Sequence, residues 1–157
     1  MRIKNKDIRH TITDVISAAF IFLFIYAAAS KLRDFEKFQV QLSKSPIVNP
    51  FVELIARGIP ALEIVIALLL IFKATQYYAI HAAFTLMVIF TAYIFAILKF
   101  SSYIPCSCGG ILQNMNWTQH LYFNIAFVTL GATAILIYPN QNKELIGHKR
   151  ESLAPVS

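Results

Sequence analysis

The stretch FVELIARGIPALEIVIALLLIF, residues 51–72, decides the fold of this chain. It is almost continuously apolar, and it is as long as the roughly 20 residues that a helix needs to cross a bilayer. Three further stretches have the same character, at about 13–30, 77–98 and 121–139. Only helices and closed barrels satisfy their backbone polar groups in lipid, and these runs are too long for barrel strands. We therefore expect four membrane-spanning helices.

The composition also indicates a multi-pass membrane protein. Hydrophobic residues make up 57% of the 157 residues and charged residues only 14%. A soluble domain of this length could not bury so much apolar surface. The predicted fold class is therefore all-α integral membrane, with one four-helix domain over residues 1–140 and a polar cytoplasmic tail at 141–157.

The first apolar run has features of a secretory signal. Basic residues precede it, and it ends in small residues at 27–30. However, the run is longer than a usual signal core, and the bulky Tyr26 lies close to the cleavage point that such a signal would need. We expect the segment to be retained as a helix.

Basic residues predict the orientation. Four of them precede the first helix, and the first helix often sets orientation under the positive-inside rule. We expect both termini in the cytoplasm of a bacterial cell, with residues 31–50 and 99–120 on the periplasmic side of the inner membrane. The net charge of +6 comes from residues flanking the helices, where anionic lipid headgroups account for them, so no nucleic-acid partner is needed.

An amphipathic helix is predicted between the first two spans. In KLRDFEKFQVQLSKSP, residues 31–46, the apolar Leu32, Phe35, Phe38 and Leu42 recur at helical spacing among charged residues. This pattern is typical of a helix that lies on the membrane surface.

Both cysteines of the chain lie in the second external connection. Alternate Cα atoms are at most about 7 Å apart, and a disulfide needs about 4.4–6.8 Å, so Cys106 and Cys108 can join in a tight turn. Gly109 and Gly110 permit such a turn and leave room for a partner's thiolate. So short a loop adds little stability, whereas a strained, exposed disulfide is readily attacked. We interpret the pair as a thiol–disulfide exchange site.

Two other interpretations of the cysteines stay open. They are either free, small apolar residues in a packed loop or ligands of a metal. Cys106, Cys108, Met115 and His120 would form a soft ligand set suited to Cu(I). Zinc lacks a fourth strong ligand nearby.

Polar residues form a stripe on the second helix. Glu53, Arg57, Pro60 and Glu63 follow one another at steps of four, three and three, which spans about 120° of the helix surface. Glu53 and Arg57 can pair, and Glu63 lies near mid-membrane, where we expect it to be protonated or hydrogen-bonded. The stripe either locks helices together or forms a polar pocket beneath the cysteine loop. In that pocket Arg57 would stabilise a thiolate or hold a quinone carbonyl.

Two histidines differ in their expected roles. His120 pairs with Asn124 at the outer end of the fourth helix, so it neighbours the cysteine loop and is a candidate proton acceptor. As an interfacial residue beside Trp117, it could equally be an ordinary rim group. His81 lies near the cytoplasmic end of the third helix and is interpreted as a packing residue.

Three motifs resemble the MauE branch of the DoxX-like membrane proteins. They are SKL-x-D-x-x-x-F at residues 30–38, P-x-x-E at 60–63 and PCSCGG at 105–110, and the similarity covers most of 14–139. The CSCGGIL form resembles versions common in Bacteroidetes-type bacteria. The resemblance implies a redox-associated membrane protein. Within this family, MauE is implicated in the maturation of a disulfide-rich subunit of a periplasmic methylamine dehydrogenase.

The general architecture also resembles DsbB and the vitamin K epoxide reductases, four-helix enzymes that pass electrons between thiols and a quinone. Those enzymes carry two cysteine pairs, whereas this chain has two cysteines in all. Electrons would therefore pass from a partner thiol through Cys106 and Cys108 directly to an acceptor. The resemblance implies a quinone as candidate cofactor, and a periplasmic thiol or disulfide protein as partner besides the membrane lipid. The alternatives are a non-catalytic membrane subunit that docks a larger complex through residues 99–120, and a copper-handling protein.

Overall fold

The computed structural model describes residues 2–43, 49–100 and 116–138. These residues form five α-helices and one short 3-10 turn, and no strand occurs among them. In chain order the elements are α1 (Arg2–Arg33), α2 (Phe35–Ser43), the 3-10 turn (Asn49–Phe51), α3 (Val52–Ile71), α4 (Gln76–Phe100) and α5 (Trp117–Ile137).

Four helices are long and apolar enough to cross a membrane, which confirms the predicted fold class. The candidate spans are Ile8–Arg33, Val52–Ile71, Gln76–Lys99 and Trp117–Ile137. Large apolar side chains are exposed on the outside of these helices, including Phe22, Leu54, Leu68 and Leu136. Such a surface is suited to contact with lipid tails.

The boundaries of two spans differ from those predicted. Helix α1 begins at Arg2 rather than near 13 and continues to Arg33, because an apolar run marks only the part of a helix suited to lipid. Helix α5 begins at Trp117 rather than near 121. The backbone N–H of Asn116 donates to the side-chain oxygen of Gln119 at 2.9 Å, and this capping bond starts the helix ahead of its apolar run.

The four spanning helices form a closed ring. Helix α1 packs against α3, α3 against α4, α4 against α5, and α5 against α1. The core is built of large apolar residues, with Phe20 in contact with the rings of Phe24 and Phe127 at centroid distances of 5.8 and 5.4 Å. Helices α1 and α4 approach α5 closely at Gly131, where an added Cβ would lie 3.2 Å from Phe84 and 3.4 Å from Phe20.

The predicted amphipathic helix is present as α2, with shorter bounds. Its apolar face carries Phe38 and Leu42, which are buried against Ala56 and partly buried neighbours on α3 and α4. Leu32 instead belongs to α1 and is exposed. The apolar face of α2 therefore packs on the start of α3 rather than resting free on the surface.

The two ends of the ring differ. At one end, which we call the terminal end, Asp14 of α1 pairs with Lys73 in the connection between α3 and α4. The amide of Gln76 donates to Asp14 at 3.1 Å and to Ser17 at 3.0 Å. Tyr138 packs on Tyr77 there at 5.2 Å, and burial raises the pKa of its phenol. The other end, called the loop end, carries α2, the end of α4 and the start of α5.

Candidate functional site

A cavity of about 310 Å³ lies in the half of the ring nearest the loop end. All five helices contribute to it, and its wall is largely apolar and aromatic. Its polar members are Tyr26 and Lys31 from α1, Glu63 from α3, Tyr93 from α4, and His120 and Asn124 from α5.

An ion pair between Lys31 and Glu63 lies in this cavity wall. The Nζ atom of Lys31 donates to Oε1 of Glu63 at 2.6 Å. The Glu63 side chain is fully buried, and that of Lys31 is only 17% exposed. The ammonium also lies 5.9 Å and 5.8 Å from the ring centroids of Phe38 and Phe90, within the range of cation–π attraction. The charge of Lys31 is therefore held by a carboxylate and by two aromatic faces.

Local sequence positions both members of the pair. Lys31 lies in the last turn of α1, where a positive charge is favoured by the helix dipole. Glu63 lies three residues after Pro60, which is buried in the interior of α3. Proline has no N–H, so the helix lacks one backbone bond near the cavity. The sequence predicts that Glu63 is protonated or hydrogen-bonded, and in the structure it accepts a hydrogen bond from Lys31.

One oxygen of Glu63 has no hydrogen-bond partner within the described part of the chain. Its Oε2 atom is buried and receives no hydrogen bond from any residue that the structure describes. A buried charged acceptor in this condition is costly unless something donates to it. The carboxylate can therefore accept a further hydrogen bond.

His120 and Asn124 reach the same cavity from α5. His120 lies in the first turn of the helix and is half-buried, with its ring centroid 6.2 Å from that of Trp117. Asn124 is buried one turn further along. The structure thus brings a histidine, an amide and an ion pair to one cavity.

The polar stripe on α3 is divided by the structure. Glu53 and Arg57 form the predicted pair at 2.9 Å, but their side chains are 72% and 70% exposed. They lie on the outside of the ring, because a stripe about 120° wide exceeds the face that a bundle helix buries. Of the four residues, Pro60 and Glu63 are buried. The geometry does not bring Arg57 to the cavity, so the cation there is Lys31.

Both cysteines lie outside the described residues, as do Gly109, Gly110 and Met115. The segment that contains them leaves α4 at Phe100 and returns at Asn116, so both of its ends are fixed at the loop end. Within the described ranges, no group of three or more histidine, cysteine or acidic side chains could hold a metal ion. The copper alternative therefore rests on His120 and on residues that the structure does not describe.

His81 lies on α4 toward the terminal end. Its Nδ1 atom is 2.8 Å from the carbonyl oxygen of Tyr77, and its ring packs on the Tyr77 ring at 4.6 Å. These contacts fit its interpretation as a packing residue.

Sequence reasoning missed the pairing of Lys31 with Glu63. A signal was nevertheless present, because Lys31 belongs to the SKL-x-D-x-x-x-F motif and Glu63 to the P-x-x-E motif. The two motifs are far apart in the chain, and neither motif by itself indicates that their side chains meet. The ring of helices joins them at one ion pair.

The family comparison agrees with this architecture. The family model described as "Methylamine utilisation protein MauE" matches residues 9–137, a range that includes most of α1, all of α2 to α5 and the segment with both cysteines. Comparison with curated proteins and with solved structures gave no match. Since the family model covers most of the sequence, the chain belongs to the MauE family of membrane proteins.

Proposed function

We propose that this protein is an inner-membrane thiol–disulfide redox protein. Its Cys106–Cys108 disulfide exchanges with the thiols of a periplasmic partner protein. In this proposal both termini are cytoplasmic, and the loop end faces the periplasm, where a disulfide persists. The description of the family as a methylamine utilisation protein is compatible with a partner that needs disulfides, but it does not fix which one.

One observation carries the proposal. The two described residues that flank the cysteine segment, Phe100 and Asn116, lie at the loop end, and Asn116 directly precedes the part of the cavity wall formed by Trp117 and His120. A histidine that follows the segment by one helical turn is well placed by connectivity to take up a proton from an attacking thiol. The minimal loop between the cysteines supports exchange rather than a structural role.

The proposed thiol–disulfide exchange proceeds in two steps, each of which is the attack of a thiolate on a disulfide. A partner thiolate attacks one sulfur of the Cys106–Cys108 bond, which breaks as a mixed disulfide forms and the other cysteine leaves as a thiolate. The partner's second thiolate then attacks the mixed disulfide and releases the remaining cysteine. The partner gains a disulfide, two electrons reduce the cysteine pair, and the protons of the partner thiols pass to His120 or to water. A two-electron acceptor must then reoxidise the pair, and the resemblance to DsbB suggests a membrane quinone.

Trapping of mixed disulfides tests this function. In cells that express Cys108→Ser or Cys106→Ser, the remaining thiol should hold a periplasmic protein in a complex that is lost on reduction. Mass spectrometry of the complex identifies the partner. The matched control is Ala74→Cys in the double serine background, which presents one thiol in the connection at the opposite end.

Partner oxidation that persists unchanged in the double variant Cys106→Ser/Cys108→Ser would contradict the proposal. Purification of a partner in fixed proportion, unaffected by loss of both cysteines, would indicate the non-catalytic subunit instead. Copper in the purified protein that is lost with the cysteines would indicate metal handling.

A further inference from the structure

We propose that the cavity binds an aromatic molecule of the hydroquinone class, with one hydroxyl donating a hydrogen bond to Oε2 of Glu63. The choice of a hydroquinone among hydroxylated rings rests in part on the proposed function, because it would be the reduced form of the electron acceptor. Binding itself does not require the cysteines, so it is tested without them.

The buried carboxylate is the first support. Lys31 bonds Oε1 of Glu63 at 2.6 Å, and this one bond is enough to hold α1 against α3. A purely structural role for the pair would leave Oε2 buried with no hydrogen-bond donor. Removing a charged acceptor from water without a replacement bond is strongly unfavourable. A ligand hydroxyl that reaches Oε2 supplies the missing bond, and a bond to a charged acceptor is stronger than a neutral one.

The size and lining of the cavity are the second support. Its volume of about 310 Å³ lies at the small end of the range for ligand sites, where a single substituted ring fits. Aromatic side chains from α1, α2, α4 and α5 line it, and rings of this kind pack well against a flat aromatic ligand. These residues are Phe24, Phe38, Phe90, Trp117 and Phe123, with Tyr26 and Tyr93.

The placement of polar groups favours two hydroxyls over one. In the ring of helices, α3 neighbours α1 and α4, and α5 neighbours the same two, so α3 and α5 are diagonal to each other. Glu63 therefore approaches the cavity from one corner, while His120 and Asn124 approach from the opposite corner. A ring with hydroxyls in para positions offers one polar group to each corner.

Binding to the wild-type chain is the first test. The full chain in lipid nanodiscs is titrated calorimetrically without oxygen, with empty nanodiscs as the blank. The probes are durohydroquinone, its dimethyl ether and duroquinone. Because the ether cannot donate to Oε2, durohydroquinone should bind about tenfold more tightly than the ether. Equal affinities of the two, or no binding of durohydroquinone, would overturn the proposal.

The variant Glu63→Gln gives a sharper second test. Lys31 should keep the amide oxygen as its acceptor, which turns the NH2 group toward the place of Oε2. A donor then replaces an acceptor, so the preference should shift from durohydroquinone toward duroquinone, whose carbonyl accepts. Glu53→Gln is the matched control, since it makes the same change on the same helix outside the cavity, and it should behave as the wild type. An unchanged preference in folded Glu63→Gln protein contradicts the assignment.

The fluorescence of Trp117 reports whether a probe enters the cavity. Trp117 is the only tryptophan of the chain and lines the cavity, so duroquinone bound to the Glu63→Gln variant should quench its fluorescence in saturable fashion. Quenching that rises without saturation would place the probe in the lipid and count against the site.

The variant Cys106→Ser/Cys108→Ser should bind durohydroquinone as the wild type does. This result separates a failure of disulfide exchange from a failure of the cavity assignment.

Discussion

Two ion pairs of this protein differ in burial and therefore in how much their loss should destabilise the fold. Glu53 and Arg57 are four residues apart on an exposed face, so helical spacing alone predicts their contact. Lys31 and Glu63 are separated by 32 positions and meet only because α1 and α3 pack together. The first pair was thus predictable from helical spacing, and the second was not. The second is also the one whose loss should matter, since removing one member leaves a buried charge without its partner.

The variant Lys31→Met should lower the free energy of unfolding by about 3 kcal/mol, because it leaves the carboxylate of Glu63 unpaired in the protein interior. The double variant Lys31→Met/Glu63→Leu should recover most of this loss, since it removes both charges. Unfolding by SDS in mixed micelles measures the differences.

Arg57→Met is the control for this prediction. Its pair is mostly exposed, so its loss should cost less than about 1 kcal/mol. If Lys31→Met were no more destabilising than Arg57→Met, the buried pair would not stabilise the fold as described.

At the scale of the element, apolar runs predict where the helices lie, and contacts between helices set the rest. The four spans and the amphipathic α2 followed from length, composition and periodicity. The extension of α1 to Arg33 did not, although it is this extension that puts Lys31 beside Glu63. The close approach at Gly131 was also not predictable, because Gly58 is equally a glycine within a helix and has nothing within 4 Å of an added Cβ. The two positions differ only in what neighbouring helices bring to them.

Gly131→Leu should destabilise the bundle by about 1–3 kcal/mol or more, because the new side chain would meet Phe84 and Phe20 where even a Cβ is tightly placed. Gly58→Leu is the matched control and should be tolerated, as it faces open space and improves helix propensity. Thermal unfolding of the two variants in the same micelles makes the comparison. Equal loss of stability in both would contradict the packing of α5 against α1 and α4.

At the scale of the whole molecule, the two ends of the bundle have different chemistry. The terminal end is fastened by the Asp14, Lys73 and Gln76 contacts. The loop end holds the cavity and both attachments of the segment with the cysteines. The sequence indicated His120 and Glu63 as candidates, but it could not show that they share a cavity, because they come from helices that do not adjoin. The cysteines themselves could be interpreted only from their spacing.

The most direct test is the accessibility of Cys106 and Cys108 in intact bacterial cells to a membrane-impermeant maleimide. We expect no labelling of the untreated protein, and labelling of both thiols after mild reduction of the intact cells. Ala74→Cys in the double serine background should react only once the cells are permeabilised. Cysteines that react without reduction, or only after permeabilisation, would contradict an exchangeable disulfide on the outer side of the membrane.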